Sequence, residues 1–169
     1  MGIKSKIFTK GCIDVAPLLI PVVPFGIIFG VIGIEAGLGP IITFLMSIII
    51  FAGSSQLVFV QLFTGGATPA VIVSSVGIVN SRHFLYSAVV AQYLTKLKLF
   101  WKIILSYFLT DQAFIVSQKY FIKQSKNIYK YYHLLGSGFT LWLVWQLSTI
   151  GGIIDRKSTR LNSSHTVIS

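Results

Sequence analysis

Of 169 residues, 54% are hydrophobic and only 11% charged, with a mean hydropathy of +0.80, which excludes an ordinary soluble domain. The net charge of +10 does not point to nucleic acid, because the basic residues lie between apolar runs and form no stripe on a soluble fold. The single cysteine, Cys12, excludes an internal disulfide.

The apolar runs reach the roughly 20 residues that a helix needs to cross a bilayer. Lys and Arg cluster at 4–10, 96–102, 119–130 and 156–160, as in loops beside anionic lipid. Residues 1–12 read as a short basic cytoplasmic segment. No cleavable signal is expected, since the run after Lys10 holds Pro17, Pro21 and Pro24 and outlasts a signal core. Residues 13–34 are predicted as the first span, kinked or locally unwound at those prolines. Gly26, Gly30 and Gly33 provide small-residue spacing for close helix packing. Asp14 and Glu35 lie near the span ends and are expected to face water.

Glu35–Pro40 is a Gly- and Pro-punctuated turn without basic residues, expected outside the cytoplasm. The second span covers 41–63 and is interrupted by Ala52-Gly53-Ser54-Ser55-Gln56. Small residues there suit a helix contact as well as a site. The Gln56 amide tips the balance, because it needs partners at that depth. After the turn Thr64–Pro69, residues 70–94 form a third unit, broken at Asn80-Ser81-Arg82-His83. One long tilted helix or two half-helices would both fit.

Lys96, Lys98 and Lys102 follow, with Trp101 as an interface anchor. A fourth run, 103–118, carries Asp111 in its Thr110-Asp111-Gln112 knot. Lysines and tyrosines alternate over 119–132 as a membrane-interface loop, with a surface-lying amphipathic helix as the lesser alternative, and His133 lies in this loop with a structural role. Residues 134–154 are the last hydrophobic run. Charge does not close the topology: two basic clusters flank one run, so either a cluster lies outside or the run is re-entrant near Asp111. The polar stretch Asp155–His165 resembles the translation of a sequencing-library adapter. Residues 1–154 are therefore expected to form a single transmembrane domain, residues 155–169 a non-native tail, and His165 is set aside.

The expected fold is all-α: a polytopic transmembrane helix bundle with about five hydrophobic segments, some broken or re-entrant. No enzyme, metal or cofactor is expected. There is no phosphate loop, no His-Glu-x-x-His pair and no cysteine cluster. A Ser-His-Asp set drawn from Ser54 or Ser55, His83 and Asp111 finds no support in spacing.

Transport fits better. Ionisable groups inside apolar runs face a bundle interior or wet cavity. Broken helices offer donors and acceptors for a zwitterion near the midplane. The candidate substrate-binding residues are Gly53, Ser54, Ser55, Gln56, Asn80, Arg82 and Asp111. Arg82 suits a carboxylate, and its plainer roles are an ion pair with Asp111 or snorkelling to an interface. His83 and Asp111 are the candidates for proton coupling, His83 being equally suited to a helix contact. The three polar knots are expected to meet, with Arg82 and Asp111 in one site.

Five motifs appear in order: Pro24-Phe25-Gly26-Ile27-Ile28-Phe29-Gly30, Ala36-Gly37-Leu38, Phe51-Ala52-Gly53-Ser54-Ser55-Gln56, Val79–Tyr86 and Leu109-Thr110-Asp111-Gln112-Ala113-Phe114. Together they resemble the large subunit of AzlC-type branched-chain amino acid exporters, over roughly residues 12–154. Gln112 stands where the family pattern has an acidic residue. The resemblance implies a multi-pass protein of the bacterial cytoplasmic (inner) membrane. It implies export of valine, leucine and isoleucine, with methionine a further candidate, and a small AzlD-type membrane subunit as partner. Members run longer at the C-terminus. A proton gradient is the expected driving force. A channel-like pore and a non-transporting assembly subunit are the alternatives.

Overall fold

A computed structural model describes the backbone of residues 2–166 and the side chains of residues 2–156. Among the described residues the chain is helical and has no strand. In order it forms α1 (Ile3–Val15), a 3-10 turn (Ala16–Leu18), α2 (Leu19–Glu35), α3 (Gly39–Ile49), α4 (Gly53–Thr64), α5 (Pro69–Asn80), α6 (Arg82–Leu94), α7 (Leu99–Tyr107), α8 (Asp111–Lys123) and α9 (Tyr131–Thr166).

Local chemistry explains most of these boundaries. Pro17 sits early in the 3-10 turn, where its missing N–H leaves no helical bond unmade. The expected irregularity of the first span takes the form of this tight turn, while Pro24 lies inside α2. The basic segment before it is helix rather than tail: Ile3–Glu35 is one helical run of 33 residues, long and apolar enough to cross a membrane. Tyr131–Arg156 is the second such run, with 26. The turn between α2 and α3 uses Gly37 at φ +81° and Gly39 at φ +78°, a region that glycine enters without a Cβ penalty.

The remaining hydrophobic runs are each split. The second breaks between α3 and α4, the third between α5 and α6 at Ser81, and the fourth between α7 and α8. The region 119–133 is not one loop. α8 continues to Lys123, and α9 already includes Tyr131, Tyr132 and His133. The backbone of α9 runs to Thr166, whereas the rest of the expected non-native tail lies outside the described residues.

The chain divides into two compact units. The first joins Met1–Ile20 to Ser81–Leu143 and so contains α1, α6, α7, α8 and the start of α9. Its core includes Val15, Leu105, Ala113, Phe121, Leu134 and Leu141. A methyl on Gly11 would strike the His133 carbonyl, and one on Gly136 would strike the Phe8 carbonyl. α1 and α9 thus meet backbone to backbone, a packing that small residues permit in membranes.

The second unit joins Pro21–Asn80 to Val144–Ser169 and contains α2, α3, α4, α5 and the rest of α9. α2 and α9 repeat the same device: Gly30 lies against the Thr149 carbonyl and Gly152 against the Ile27 carbonyl. Phe29 is fully buried here and stacks on Trp145 at 6.2 Å. Large apolar side chains such as Ile20, Ile41, Ile49, Val73, Phe84 and Leu99 point outward, which suits a hydrocarbon solvent and not water.

Candidate functional site

The polar knots open half-helices. α4 begins at Gly53, α6 at Arg82 and α8 at Asp111. α4 and α8 start after the non-helical residues Ala52 and Thr110, whereas Ser81 keeps helical dihedrals before α6. Thr110 caps α8 by accepting from the Ala113 N–H at 3.5 Å, and Asp111 in the first turn favours the positive end of the helix.

In the first unit, Arg82 Nη1 lies 3.1 Å from Asp111 Oδ2. Both side chains are 34% exposed, so the pair is within reach of a ligand and not sealed in the core. Tyr86 sits one turn beyond Arg82 on α6, and its phenol interacts with the Asp111 carboxylate. Its ring stacks on Phe114 at 4.5 Å and meets His83 edge-on at 5.7 Å. α6 and α8 are therefore joined by one ion pair and a short aromatic ladder. A cavity of about 290 Å³ begins at Ser87 and Leu109 and continues along Val90, Ala91, Leu94 and Leu105. Ser87 is one residue past Tyr86, and Leu109 lies two before Asp111.

The remaining sequence candidates lie in the second unit. Ser55 is fully buried and donates to Asn80 Oδ1 at 2.5 Å, tying α4 to the end of α5. Gln56, also fully buried, donates from Nε2 to the Met46 carbonyl at 3.0 Å. Gly53 lies against the Trp145 ring, where a Cβ would come within 2.7 Å. Ser54 is half-buried in the first turn of α4. Gly53, Ser54, Ser55, Gln56 and Asn80 thus belong to one unit, and Arg82, His83 and Asp111 to the other.

Two polar clusters escaped the sequence reading. Asp14 does not simply face water, and His133 is not a loop residue. His133 is fully buried on α9, with Nε2 at 3.0 Å from Asp14 Oδ2 on α1. Its Nδ1 lies 3.2 Å from Ser117 Oγ, which lies 3.1 Å from Ser137 Oγ. Tyr120 stacks on the imidazole at 4.1 Å, and Lys10 pairs with Asp14 one turn away. Asp14 also lines a basic pocket with Lys10, Lys119 and Lys123. In the second unit, Gln146 Nε2 donates to the Ser47 carbonyl at 3.2 Å, and Ser47 Oγ lies 3.3 Å from Thr149 Oγ1. Gln146, inside the last apolar run, was the one local signal for this second cluster. Among the described residues, no group of His, Cys, Asp and Glu is arranged to hold a metal.

Residues 17–156 match the family model described as AzlC protein. A relative from Archaeoglobus fulgidus, named an uncharacterized membrane protein, is 34% identical over 114 residues, covering 68% of this chain and 50% of that one. The inner membrane protein YgaZ of Escherichia coli K12 is 25% identical over 149 residues, covering 88% of this chain and 60% of that one. The chain thus spans 50–60% of the length of these relatives. No solved structure matches it. Apolar helical runs of membrane-crossing length, half-helices opening on polar knots and a match over most of the sequence agree: this multi-pass α-helical membrane protein belongs to the AzlC family.

Proposed function

We propose that the chain is the large subunit of a carrier, not an enzyme, that exports valine, leucine and isoleucine, with methionine a further substrate. The observation that carries this reading is the Arg82–Asp111 pair, a partly open couple of opposite charges at the start of two half-helices. A zwitterionic amino acid presents the same two charges. Its carboxylate takes the guanidinium with paired donors, and its ammonium takes the aspartate, so substrate binding and pair opening are one exchange. The mainly apolar cavity lined by Ser87, Val90, Leu94, Leu105 and Leu109, with Lys102 also in its wall, suits a branched aliphatic side chain. Protonation of Asp111, or of His83 beside it in the aromatic ladder, weakens the pair and links the proton gradient to the exchange. A small AzlD-type membrane subunit completes the carrier.

The test is efflux of labelled valine, leucine and methionine from vesicles containing the complete pair of subunits. Saturable efflux with counterflow, accelerated by an imposed proton gradient, is the expected result. Linear, unsaturable flux would indicate a pore. No flux of any of the three amino acids would remove the reading.

A further inference from the structure

The gap between α3 and α4 is closed in an unusual way. The last turn of a helix leaves carbonyls without intrahelical donors. At the end of α3, two carboxamides from elsewhere take consecutive carbonyls: Gln56 from α4 takes Met46 O, which also accepts the Ile50 N–H, and Gln146 from α9 takes Ser47 O. Both side chains are more than nine-tenths buried, at 0% and 4% exposure. Each donates through nitrogen, so the assignment of nitrogen and oxygen within each amide is fixed by its acceptor. Gln56 Oε1 and Gln146 Oε1 are then left buried without a hydrogen-bond partner. Covalent geometry keeps each oxygen beside its own nitrogen, and so beside the same turn of α3.

The surroundings are rich in oxygen and carry no formal charge. Thr149 lies three residues beyond Gln146 on α9, with its hydroxyl against that of Ser47, and both residues are fully buried. The acidic residues described in this unit are Glu35 and Asp155, at the ends of their helical runs, and Glu35 is paired with Arg156. Trp145 packs across Gly53, the opening residue of α4, and its Nε1 donor is likewise buried without a hydrogen-bond partner. Two orphaned acceptors in such a place cost stability unless something positive meets them. The negative end of the α3 dipole adds to the attraction. A divalent ion is unsuited, since it demands carboxylates to offset its charge. Neutral carbonyl, carboxamide and hydroxyl oxygens at the end of a half-helix suit a monovalent cation.

We propose that the end of α3, with Gln56 and Gln146, is a monovalent-cation site built from neutral oxygens. Two sources share this chemistry: a sodium ion, and the ammonium of a primary amine such as an amino acid. Neither source rests on the export reading above, in which the substrate ammonium takes Asp111 in the other unit.

The experiment is thermal unfolding of the purified chain in mild detergent. Sodium chloride is titrated against choline chloride at constant ionic strength, and methylammonium and valine are titrated separately, with N-acetylvaline as control. A saturable rise in Tm with sodium alone identifies the ion. A rise with methylammonium and valine but not N-acetylvaline identifies the ammonium, and this arm can succeed even if vesicles show no efflux. In either case Gln56→Met and Gln146→Met should weaken the apparent Kd about tenfold or more, the scale of losing one charge-assisted contact. Should either Met variant fail to fold, Gln146→Lys keeps a donor for the Ser47 carbonyl, places its own ammonium at the site and should abolish the shift instead. No saturable shift with any cation in the unaltered chain means that water satisfies the two oxygens and overturns the proposal. An effect that survives both Met variants, or the Gln146→Lys variant, overturns it as well.

Discussion

His133 Nε2 and Asp14 Oδ2 lie 3.0 Å apart although 119 residues separate them in the chain. The imidazole is fully buried between this carboxylate and Ser117, with Tyr120 stacked on its face. A buried group bonded on both sides is expensive to remove, because its partners lose their bonds while staying out of water. His133→Ala should therefore destabilise the first unit by about 1–3 kcal/mol or more, and His133→Gln by less, since an amide keeps one of the two bonds. Denaturant unfolding in detergent micelles would measure both. Equal stability of His133→Ala and the unaltered chain would show that the cluster contributes nothing.

The Arg82–Asp111 pair separates a structural role from a transport role. Arg82→Ala and Asp111→Ala should each reach the membrane yet lower export about tenfold or more, as expected for losing a charge-assisted contact with substrate. The exchange Arg82→Asp with Asp111→Arg should restore assembly without restoring full export, because the two charges then meet the substrate in reverse. Labelled-valine efflux, normalised to membrane-inserted protein, reads all three. Normal efflux by either alanine variant would sever the pair from transport.

Gly151 and Gly152 are neighbours with opposite surroundings. A Cβ on Gly151 meets nothing within 4 Å, whereas one on Gly152 runs into the Ile27 backbone. Gly151→Leu should be tolerated. Gly152→Leu must push α2 from α9 and should cost about 1–3 kcal/mol or more, with reduced recovery of folded protein. Size-exclusion profiles in detergent distinguish the two, and matching profiles would contradict the backbone contact.

The proposed partnership is checked by purification. The small AzlD-type subunit should be recovered with this chain in mild detergent, at a fixed ratio. Full export by this chain in vesicles without it would remove the partner from the proposal.

The helix breaks were legible in the sequence because polar residues in apolar runs have few places to go. Gly53, Arg82 and Asp111 each open a half-helix. The pairing of Arg82 with Asp111 follows from opposite charge in a costly environment. The Asp14–His133 cluster was hidden because neither residue has a local signal. Asp14 looked like a span-end carboxylate and His133 like part of a basic, tyrosine-rich loop. What joins them is the backbone contact of α1 with α9 through Gly11 and Gly136, and glycine spacing alone does not name a partner helix. Gln146 was submerged in an apolar run for a similar reason: its role depends on an α3 carbonyl 99 residues away.

Both compact units draw residues from the start or middle of the chain and from α9. During synthesis neither unit can close early. α1 leaves the ribosome with Asp14 paired only to Lys10, and His133 follows 119 residues later, a delay of roughly 6–24 s at usual elongation rates. The Ser47 carbonyl waits likewise for Gln146. Until α9 arrives, Asp14 lacks its imidazole partner and Ser47 its carboxamide, and both must be met at the insertion machinery or in water at the membrane surface. α9 is thus the helix on which both units depend for these partners.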